Sequence, residues 1–252
     1  MSSISGISGS NYYSQMASGT KLQHAADGAA EMAIVEKEHA QINGLNMGTR
    51  NAEDGKSLLN VADGAISGIA DNLQRMRELA IQASNTAILT DDDRQMIQDE
   101  IDQLKQGISD IANNTEFNKK NLLDGSYKDG HIASNPDASG PDLDIGAATL
   151  QALGIEDFDV TKDFSVETID NALSKVSSNR SKIGAQYNAL NYITNYNSNA
   201  SINLTSAASR MEDADLAKLI TEKDRQNILQ TYQIIMQKKQ MEQEKKKYAL
   251  FI

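Results

Sequence analysis

His24, His39 and His131 are the only side chains of this 252-residue chain that ordinarily titrate near neutrality. They are far apart, and none sits in the H-E-x-x-H spacing that holds zinc on one helix face. Cysteine is absent, which removes thiolate nucleophiles, disulfide frameworks and cysteine-type zinc sites. There is no G-x-x-x-x-G-K-[ST] phosphate loop, no G-x-S-x-G elbow and no dinucleotide-type glycine fingerprint after a strand. Asn135-x-Asp137-x-Ser139-Gly140 begins like a calcium loop, but the position that must supply the bidentate carboxylate is Gly146. Carboxylate pairs are abundant, as chance provides in any acidic helical sequence. No enzyme, metal or cofactor is expected. What remains is recognition by a surface. Asp71, Arg75, Glu78 and Gln82 fall at helical spacing and form one polar stripe. An exposed arginine among hydrogen-bonding side chains is a common anchor for a protein partner; as an ordinary solvated face, the same stripe would hold an Asp71–Arg75 pair.

Such a stripe acts only if a scaffold holds it, and composition narrows the scaffold. Lysine and arginine number 24 against 35 acidic residues, a net charge of −11, which argues against general nucleic-acid binding. No apolar run reaches the roughly 18 residues that span a bilayer, so no membrane insertion is expected. Met1–Ser10 has neither the basic nor the apolar region of a Sec-type signal peptide. Aromatic residues make up 5% of the chain, too few for a thick globular core but enough for a thin helical object. The only prolines, Pro136 and Pro141, fall in one short stretch, leaving the rest free of the strongest helix breaker.

Periodicity supplies the helices. Leu45, Gly48, Ala52, Gly55, Leu59, Ala62, Ile66, Ile69, Leu73, Met76, Ala80 and Ala83 follow alternate steps of three and four, the seam of a coiled coil. The first half, rich in glycine and alanine, lets a neighbour approach closely; the second half carries more of the burial. Asp27 is placed to cap the run from Gly28, and a helix to Ser84 would be about 85 Å long. Asn85–Leu89 is a short connection. Thr90 with Asp93 approximates a capping box, and three successive acids suit the positive end of a helix dipole. Ile97, Ile101, Leu104, Ile108 and Ile111 give this second helix its seam. From Ile169 the alternation runs unbroken through Ala172, Val176, Asn179, Ile183, Gln186, Leu190, Ile193, Asn197, Ala200, Leu204, Ala207 and Met211 to Ala214. A helix over about Val166–Leu216 would be roughly 75 Å long. Asn179, Gln186 and Asn197 are polar seam residues of the kind that fix register or partner number. Two matched rods joined by a shorter helix predict an antiparallel bundle with both termini at one end.

Residues 113–163 carry turn signals instead, with weak strand candidates only at Leu143–Ile145 and Phe158–Val160. Residues 91–170 hold 19 acids and 6 bases, a net of −13. From Ala217 a further helix sets Ile228, Tyr232 and Ile235 on one face before Lys238-Lys239 and Lys245–Lys247; residues 217–252 are +4 and the rest of the chain −15. The lysines suit a helix C-terminus and are also compatible with a membrane surface or an acidic partner. The expected organisation is a short, mostly non-helical segment 1–27, a two-helix arm 28–125, an acidic tip 126–165 with a possible β-hairpin where the rod turns back, a second arm 166–216 and a Lys-rich helix 217–252.

Several blocks resemble bacterial flagellins, in that family's order: Met16–Asp27, Gly44-Leu-Asn, Arg50–Gly55, Leu73-Gln-Arg-Met-Arg-Glu-Leu-Ala-Ile-Gln82, Ile97–Ile101 and Thr115–Asn118, then Arg180, Gly184-Ala185, Asn203–Thr205 and Ser209–Asp215. The resemblance covers most of residues 16–125 and 165–235. It implies a mainly α fold, with an inner domain of terminal helices and an outer three-helix rod carrying a β-hairpin. Variable outer domains, inserted where Ser126–Asp159 lies, would be missing. It implies a structural filament subunit, secreted unfolded through the flagellar type III channel and polymerised by head-to-tail contacts that do not close into a ring. The implied partners are other flagellin subunits, a flagellar export chaperone, the filament cap and Toll-like receptor 5 of animal hosts. For that receptor, or for a protofilament neighbour, the matching contact positions are Leu73, Gln74, Arg75, Glu78, Leu79, Gln82 and Glu100.

Two features depart from the family pattern. About fifteen Ser/Gly-rich residues precede the first block, which predicts a truncated inner helix. The C-terminal helix ends in lysines that are costly to bury in a filament's inner tube. Impaired assembly by this chain alone is therefore expected, and the alternative function is a minor or poorly polymerising flagellin, or a soluble receptor ligand. A hook–filament junction protein shares the helical plan, but the Leu73–Gln82 motif fits flagellin better. At low concentration the chain should be an elongated, highly helical monomer; circular dichroism dominated by a strand signal would end the bundle expectation.

Overall fold

The computed structural model describes residues 14–249, and the first thirteen residues of the expected N-terminal segment lie outside it. In chain order the elements are α1 (Ala25–Ala83), α2 (Asp91–Asn114), β1 (Glu116–Phe117), β2 (Lys120–Asn121), β3 (Gly130–His131), β4 (Asp142–Leu143), α3 (Leu150–Leu153), α4 (Val166–Glu212) and α5 (Leu216–Ala249). They build two compact units, a central one over residues 41–201 and a flanking one from the segments up to residue 40 and from residue 202. The division runs through the interiors of α1 and α4, not at 27/28 and 216/217 where composition and periodicity suggested it.

In the central unit every member of the α1 seam from Leu45 to Ala83 is buried. Fully burying a Leu, Ile or Met side chain is worth about 1.5–3 kcal/mol, so Leu59, Ile66, Ile69, Leu73 and Met76, all at 0% exposure, hold this unit together. α2 lies on the upper half through Ile97, Ile101 and Ile108, and α4 runs antiparallel along α1 through Ile169, Val176, Ile183 and Leu190. The α2 start forms as expected: the Thr90 hydroxyl accepts from Asp93 N–H at 3.2 Å while the Asp93 carboxylate accepts from Thr90 N–H at 2.9 Å. The Thr90 hydroxyl also donates to the Asp93 carboxylate at 2.7 Å, and the two bonds to that carboxylate lower the Asp93 pKa, the Thr90 hydroxyl being the larger cause and the Thr90 backbone N–H the next.

The interval 126–165 is not a distal tip. After α2 the chain makes a β1–β2 hairpin, turning on Asn118 and Lys119, both with positive φ (49° and 63°). It then runs back along α1, through β3, to Pro136, and returns through β4, which pairs antiparallel with β3 as Gly130–Leu143 and His131–Asp142. Pro136 packs on Gly44, where an added Cβ would lie 2.7 Å from the Pro136 Cβ. The Ser134 carbonyl sits so close to Gly48 that any side chain there would collide with it. The small half of the α1 seam therefore admits loop backbone beside the side chains of α4. The polar seam residues serve the same segment: Asn197 Nδ2 donates to the Ser134 carbonyl at 2.7 Å, Gln186 Nε2 to that of Asp144 at 3.1 Å, and Asn179 lies against Gly146. Asn197 and Gln186 thus satisfy loop carbonyls. From α1, Asn51 Nδ2 adds a bond to the Ala133 carbonyl at 2.7 Å.

Within the hairpin, His131 places Nε2 3.0 Å from the Ala138 carbonyl and Nδ1 2.8 Å from Asp142. Both are acceptors, so they raise the His131 pKa, the Ala138 carbonyl most. Its contribution to stability is fully present below about pH 6.5, the unfolded value, and is lost as pH rises through the raised folded value. Of the two strand candidates, Leu143 enters β4, but Phe158–Val160 is irregular and leads into a turn. Side chains of α2 take its polar groups instead: Gln98 Oε1 accepts from Val160 N–H at 2.8 Å, Arg94 donates to the Val160 carbonyl at 2.7 Å, and Lys105 to that of Phe158 at 3.3 Å. The adjoining Asp159 carboxyl is held down to about 2, first by the Thr161 hydroxyl and then by Lys162.

In the flanking unit Leu22, Val35 and Ala208 are buried. Asp27 does not cap forward; its carboxylate accepts from Gln23 and His24 N–H at 3.1 and 2.9 Å, and the backbone leaves helical geometry at Gly28. The expected unbroken helix through Ala214 stops at Glu212, because Thr20 bridges to Asp213 and Gly19 accepts from Ala214 N–H at 2.9 Å. His39 Nε2 meets Glu212 at 2.8 Å beside this break.

Two glycine substitutions test the close-approach account by opposite signs. Gly48→Ala should destabilise the chain by about 2 kcal/mol through overpacking. Gly184→Ala, in open space on α4, should stabilise it by about 0.5–1 kcal/mol. Thermal unfolding followed by circular dichroism reads both, and an unaffected Gly48→Ala variant would contradict the packing of the hairpin on α1.

Candidate recognition surface

The stretch Leu73–Gln82 of α1 has an inner and an outer face. Leu73, Met76, Leu79, Ala80 and Ala83 are buried, and Gln74, Arg75, Glu78 and Gln82 are exposed. Helical period alone assigns these sides, since positions three and four apart share a face. α2, lying antiparallel beside this stretch, brings up Glu100. Arg75 Nε donates to Glu100 Oε1 at 2.8 Å and Arg75 Nη1 to Glu78 Oε2 at 3.0 Å. The two carboxylates raise the Arg75 pKa, with the Glu100 hydrogen bond the larger cause. The guanidinium is thus held in one orientation while half of the side chain remains open to solvent. Both its partners are also exposed, so the cluster adds little stability but fixes where a charged, planar group points.

The Asp71–Arg75 pair read from spacing does not form. Asp71 instead lies near Arg180 of α4, whose guanidinium is bound to Asp63 at 2.9 Å; Asp63 is the main cause of its raised pKa and Asp71 a smaller one. Of the seven positions marked by resemblance, the structure gathers Gln74, Arg75, Glu78, Gln82 and Glu100 on exposed or partly exposed surface, and places Leu73 and Leu79 in the core at 0% and 2% exposure. Spacing missed a second charged feature on α1, where Arg77 meets Asp170 of α4 at 2.6 Å. No local pattern announces a pair 93 residues apart; only the antiparallel register of α1 and α4 does.

The remaining titratable groups do not assemble a reacting centre. Both ring nitrogens of His131 are engaged within the hairpin, His24 Nδ1 faces the Gln23 carbonyl at 2.7 Å, and His39 faces Glu212 with no hydroxyl nucleophile at its other nitrogen. The Asn135–Gly140 loop spends its side chains on itself: Asp137 accepts from Ser139 N–H at 3.0 Å, and Asn135 donates to the Ser139 hydroxyl at 2.8 Å. Among the described residues no group of three or more histidines and carboxylates is arranged to hold a metal ion, and no helix is long and apolar enough to cross a membrane. A cavity of about 490 Å³ beside Phe158 and Phe164 is rimmed by Glu156, Asp157, Asp159 and Asp163, and Asp159 is spent on the Thr161 hydroxyl and on Lys162. The arrangement offers shape and charge for binding.

Comparison with known proteins finds two family models and several relatives. A family model described as the bacterial flagellin N-terminal helical region matches residues 5–128, and one described as the bacterial flagellin C-terminal helical region matches residues 166–245. The flagellin of Bacillus subtilis (strain 168) is 38% identical, the match covering 91% of this chain and 90% of that one. The flagellin of Halalkalibacterium halodurans is 37% identical over 85% of this chain and 81% of its own length. A flagellar filament 31.3 kDa core protein of Treponema maltophilum is 32% identical, with 85% and 82% covered. Among solved structures, a crystal structure of Bacillus cereus flagellin is 29% identical and matches 59% of this chain and 88% of its own, with a TM-score of 0.49.

Inner and outer faces of the motif should separate cleanly on substitution. Leu73→Ala should cost about 3 kcal/mol of stability by leaving a cavity, whereas Arg75→Ala should leave the unfolding temperature unchanged. An Arg75→Ala variant that unfolds as early as Leu73→Ala would assign Arg75 to the scaffold and not to the surface.

Proposed function

The chain belongs to the bacterial flagellin family, and on that premise we propose that it is a structural subunit of the flagellar filament, built in by contacts between the helical surfaces of neighbouring copies. One observation carries the reading: both of the family's helical regions are present, over residues 5–128 and 166–245. In the central unit the two regions pair antiparallel, from Ser201 on Asn46 to Asp170 on Arg77. A subunit of this kind works by repeated non-covalent contact and needs no reacting group, and head-to-tail contacts that do not close extend into a helical filament. The short interval 129–165 between the two matched regions is consumed in completing the bundle, which leaves helical surfaces as the contact material.

Several finer steps belong to the same proposal. The filament stands outside the cell, reached by export through the flagellar channel, with an export chaperone and the filament cap as transient partners. Gln74, Arg75, Glu78, Gln82 and Glu100 form a contact face used by a neighbouring subunit in the filament and by Toll-like receptor 5 on the free chain. Leu73 and Leu79, though part of the same motif, act by holding that face in place. The clamped orientation of Arg75 supports this assignment, since a pre-oriented arginine loses little freedom on binding.

Seeded polymerisation followed by electron microscopy tests the subunit reading. Filament seeds of a close relative should be extended by this chain, and seeds that recruit none of it at any concentration would refute the reading. For the receptor face, Arg75→Ala should weaken binding to the receptor ectodomain roughly tenfold with an unchanged circular dichroism spectrum; equal affinity would remove Arg75 as the anchor.

A further inference from the structure

The loop between β3 and β4 brings two titratable side chains onto a single peptide. His131 Nε2 lies 3.0 Å from the Ala138 carbonyl and Nδ1 lies 2.8 Å from the Asp142 carboxylate. A carbonyl oxygen and a carboxylate both accept, so both ring nitrogens must donate, and only the imidazolium has two N–H groups. The Ala138 carbonyl and the Ser139 N–H belong to the same peptide unit, and its other end is held as well. Ser139 N–H donates to Asp137 Oδ1 at 3.0 Å, and the Ser139 hydroxyl to the same oxygen at 2.6 Å. This peptide is gripped by a cation at its oxygen and by an anion at its nitrogen.

The gripped segment is under strain. Ala138 has a φ of 63°, a left-handed backbone that a Cβ makes costly and that persists only where the surroundings enforce it. The rest of the loop is anchored independently of His131. The Ser139 carbonyl accepts from Ser134 and Asn135 N–H at 3.0 Å each, Asn51 and Asn197 hold the Ala133 and Ser134 carbonyls, and Pro136 rests on Gly44. When the imidazolium loses a proton, Nδ1–H stays with Asp142, because a charged acceptor makes the stronger bond. Nε2 then turns a lone pair towards the Ala138 carbonyl, and Ala138 is free to return to ordinary backbone. That movement takes the Ala138 N–H off the Asn135 carbonyl, 3.0 Å away in the closed loop, and the Ser139 N–H off Asp137.

We propose that residues 137–139 are a pH-operated latch on the β3–β4 loop, held shut by an imidazolium at His131 and a carboxylate at Asp137 and opened by loss of the His131 proton. The Ala138 carbonyl and then Asp142 raise the His131 pKa, while the Ser139 hydroxyl and then its N–H lower that of Asp137. The latch is therefore fully shut between about pH 4 and about pH 6.5, the ordinary values of the two groups. It opens as pH rises through the raised His131 value, and loses its second grip as pH falls through the lowered Asp137 value. Lys119 and Lys120 from the β1–β2 hairpin, with Asp124, Lys128 and Asp129, line the same hollow as His131. These charges of both signs shift the midpoint in a salt-dependent way and donate no hydrogen bond to the ring.

Nuclear magnetic resonance of the isotope-labelled full chain tests the latch. Both His131 ring nitrogens should be protonated below a midpoint that lies above the ordinary histidine value, and Nδ1 alone above it. Across that midpoint the hydrogen-exchange protection of the Ala138 and Ser139 amides should fall about tenfold, the worth of one hydrogen bond, while that of the Ser134 amide is kept. In His131→Gln, whose side-chain amide can donate to the Ala138 carbonyl at any pH, the fall should vanish. His131 is half exposed, so the circular dichroism of this variant should match the parent. A His131 midpoint at or below the ordinary value, or Nδ1 as the first nitrogen to lose its proton, would overturn the proposal on the parent chain alone. So would a fall that ignores the midpoint, that spreads to Ser134, or that persists in His131→Gln.

Discussion

The changing width of the α1 seam is the constraint on which the central unit depends. From Leu59 upward the seam is built of large apolar residues, and a helix is the natural cover because it can bury side chain against side chain. Below, at Gly44 and Gly48, there is no side chain to interlock with, and a covering helix would leave a void. A tightly packed interior does not tolerate such a void. Backbone fills it: Pro136 and the Ser134 carbonyl reach the α1 axis at a distance that any Cβ would forbid. Backbone brought into a seam carries carbonyl groups that must be paired, and Asn51, Asn197 and Gln186 supply the donors. The glycines on α1 and the amides on α4 are two parts of a single solution, although in sequence they look like separate irregularities.

The same economy governs the surface. α1 turns one face to the core and offers Gln74, Arg75, Glu78 and Gln82 on the other, so the residues that could meet a partner are stiffened by those that cannot. Arg75 reaches across to Glu100 on α2, while Arg77 and Arg180 tie α1 to α4 through Asp170 and Asp63. These exposed pairs do little for stability. They set which charges face outward and in what direction, which is what a protein working by repeated contact requires. The net charge divides along the same lines: the acidic residues concentrate in the interval 91–170 of the central unit, and the cationic surplus sits on α5.

Much of this was legible in the linear order of residues, and the reason is physical. A period of three and four reports which face of a helix leaves water, so the α1 seam was identifiable residue by residue, and the α4 seam in its apolar members from Ile169 to Leu190. Thr90 and Asp93 were readable as a cap because both partners of that interaction lie within one turn. Likewise the side of α1 on which Arg75 stands follows from period alone. Periodicity reports that a face is buried, however, and is silent on what buries it. The spacing that marked Asn197 as a polar interruption did not say that a loop carbonyl 63 residues earlier would accept its hydrogen bond. Phe158–Val160 resembled a strand by composition, but its hydrogen bonds are taken by Arg94 and Gln98 from another helix. Arg75 chose Glu78 and Glu100 over Asp71 because α2 delivers a second carboxylate that no count along α1 includes. Local order therefore decides which residues are helical, which are inward and, at Thr90, where a helix begins. Three-dimensional packing alone decides that the interval with the two prolines runs back along the bundle instead of capping its end, since that choice depends on a space left open by glycines about ninety residues away.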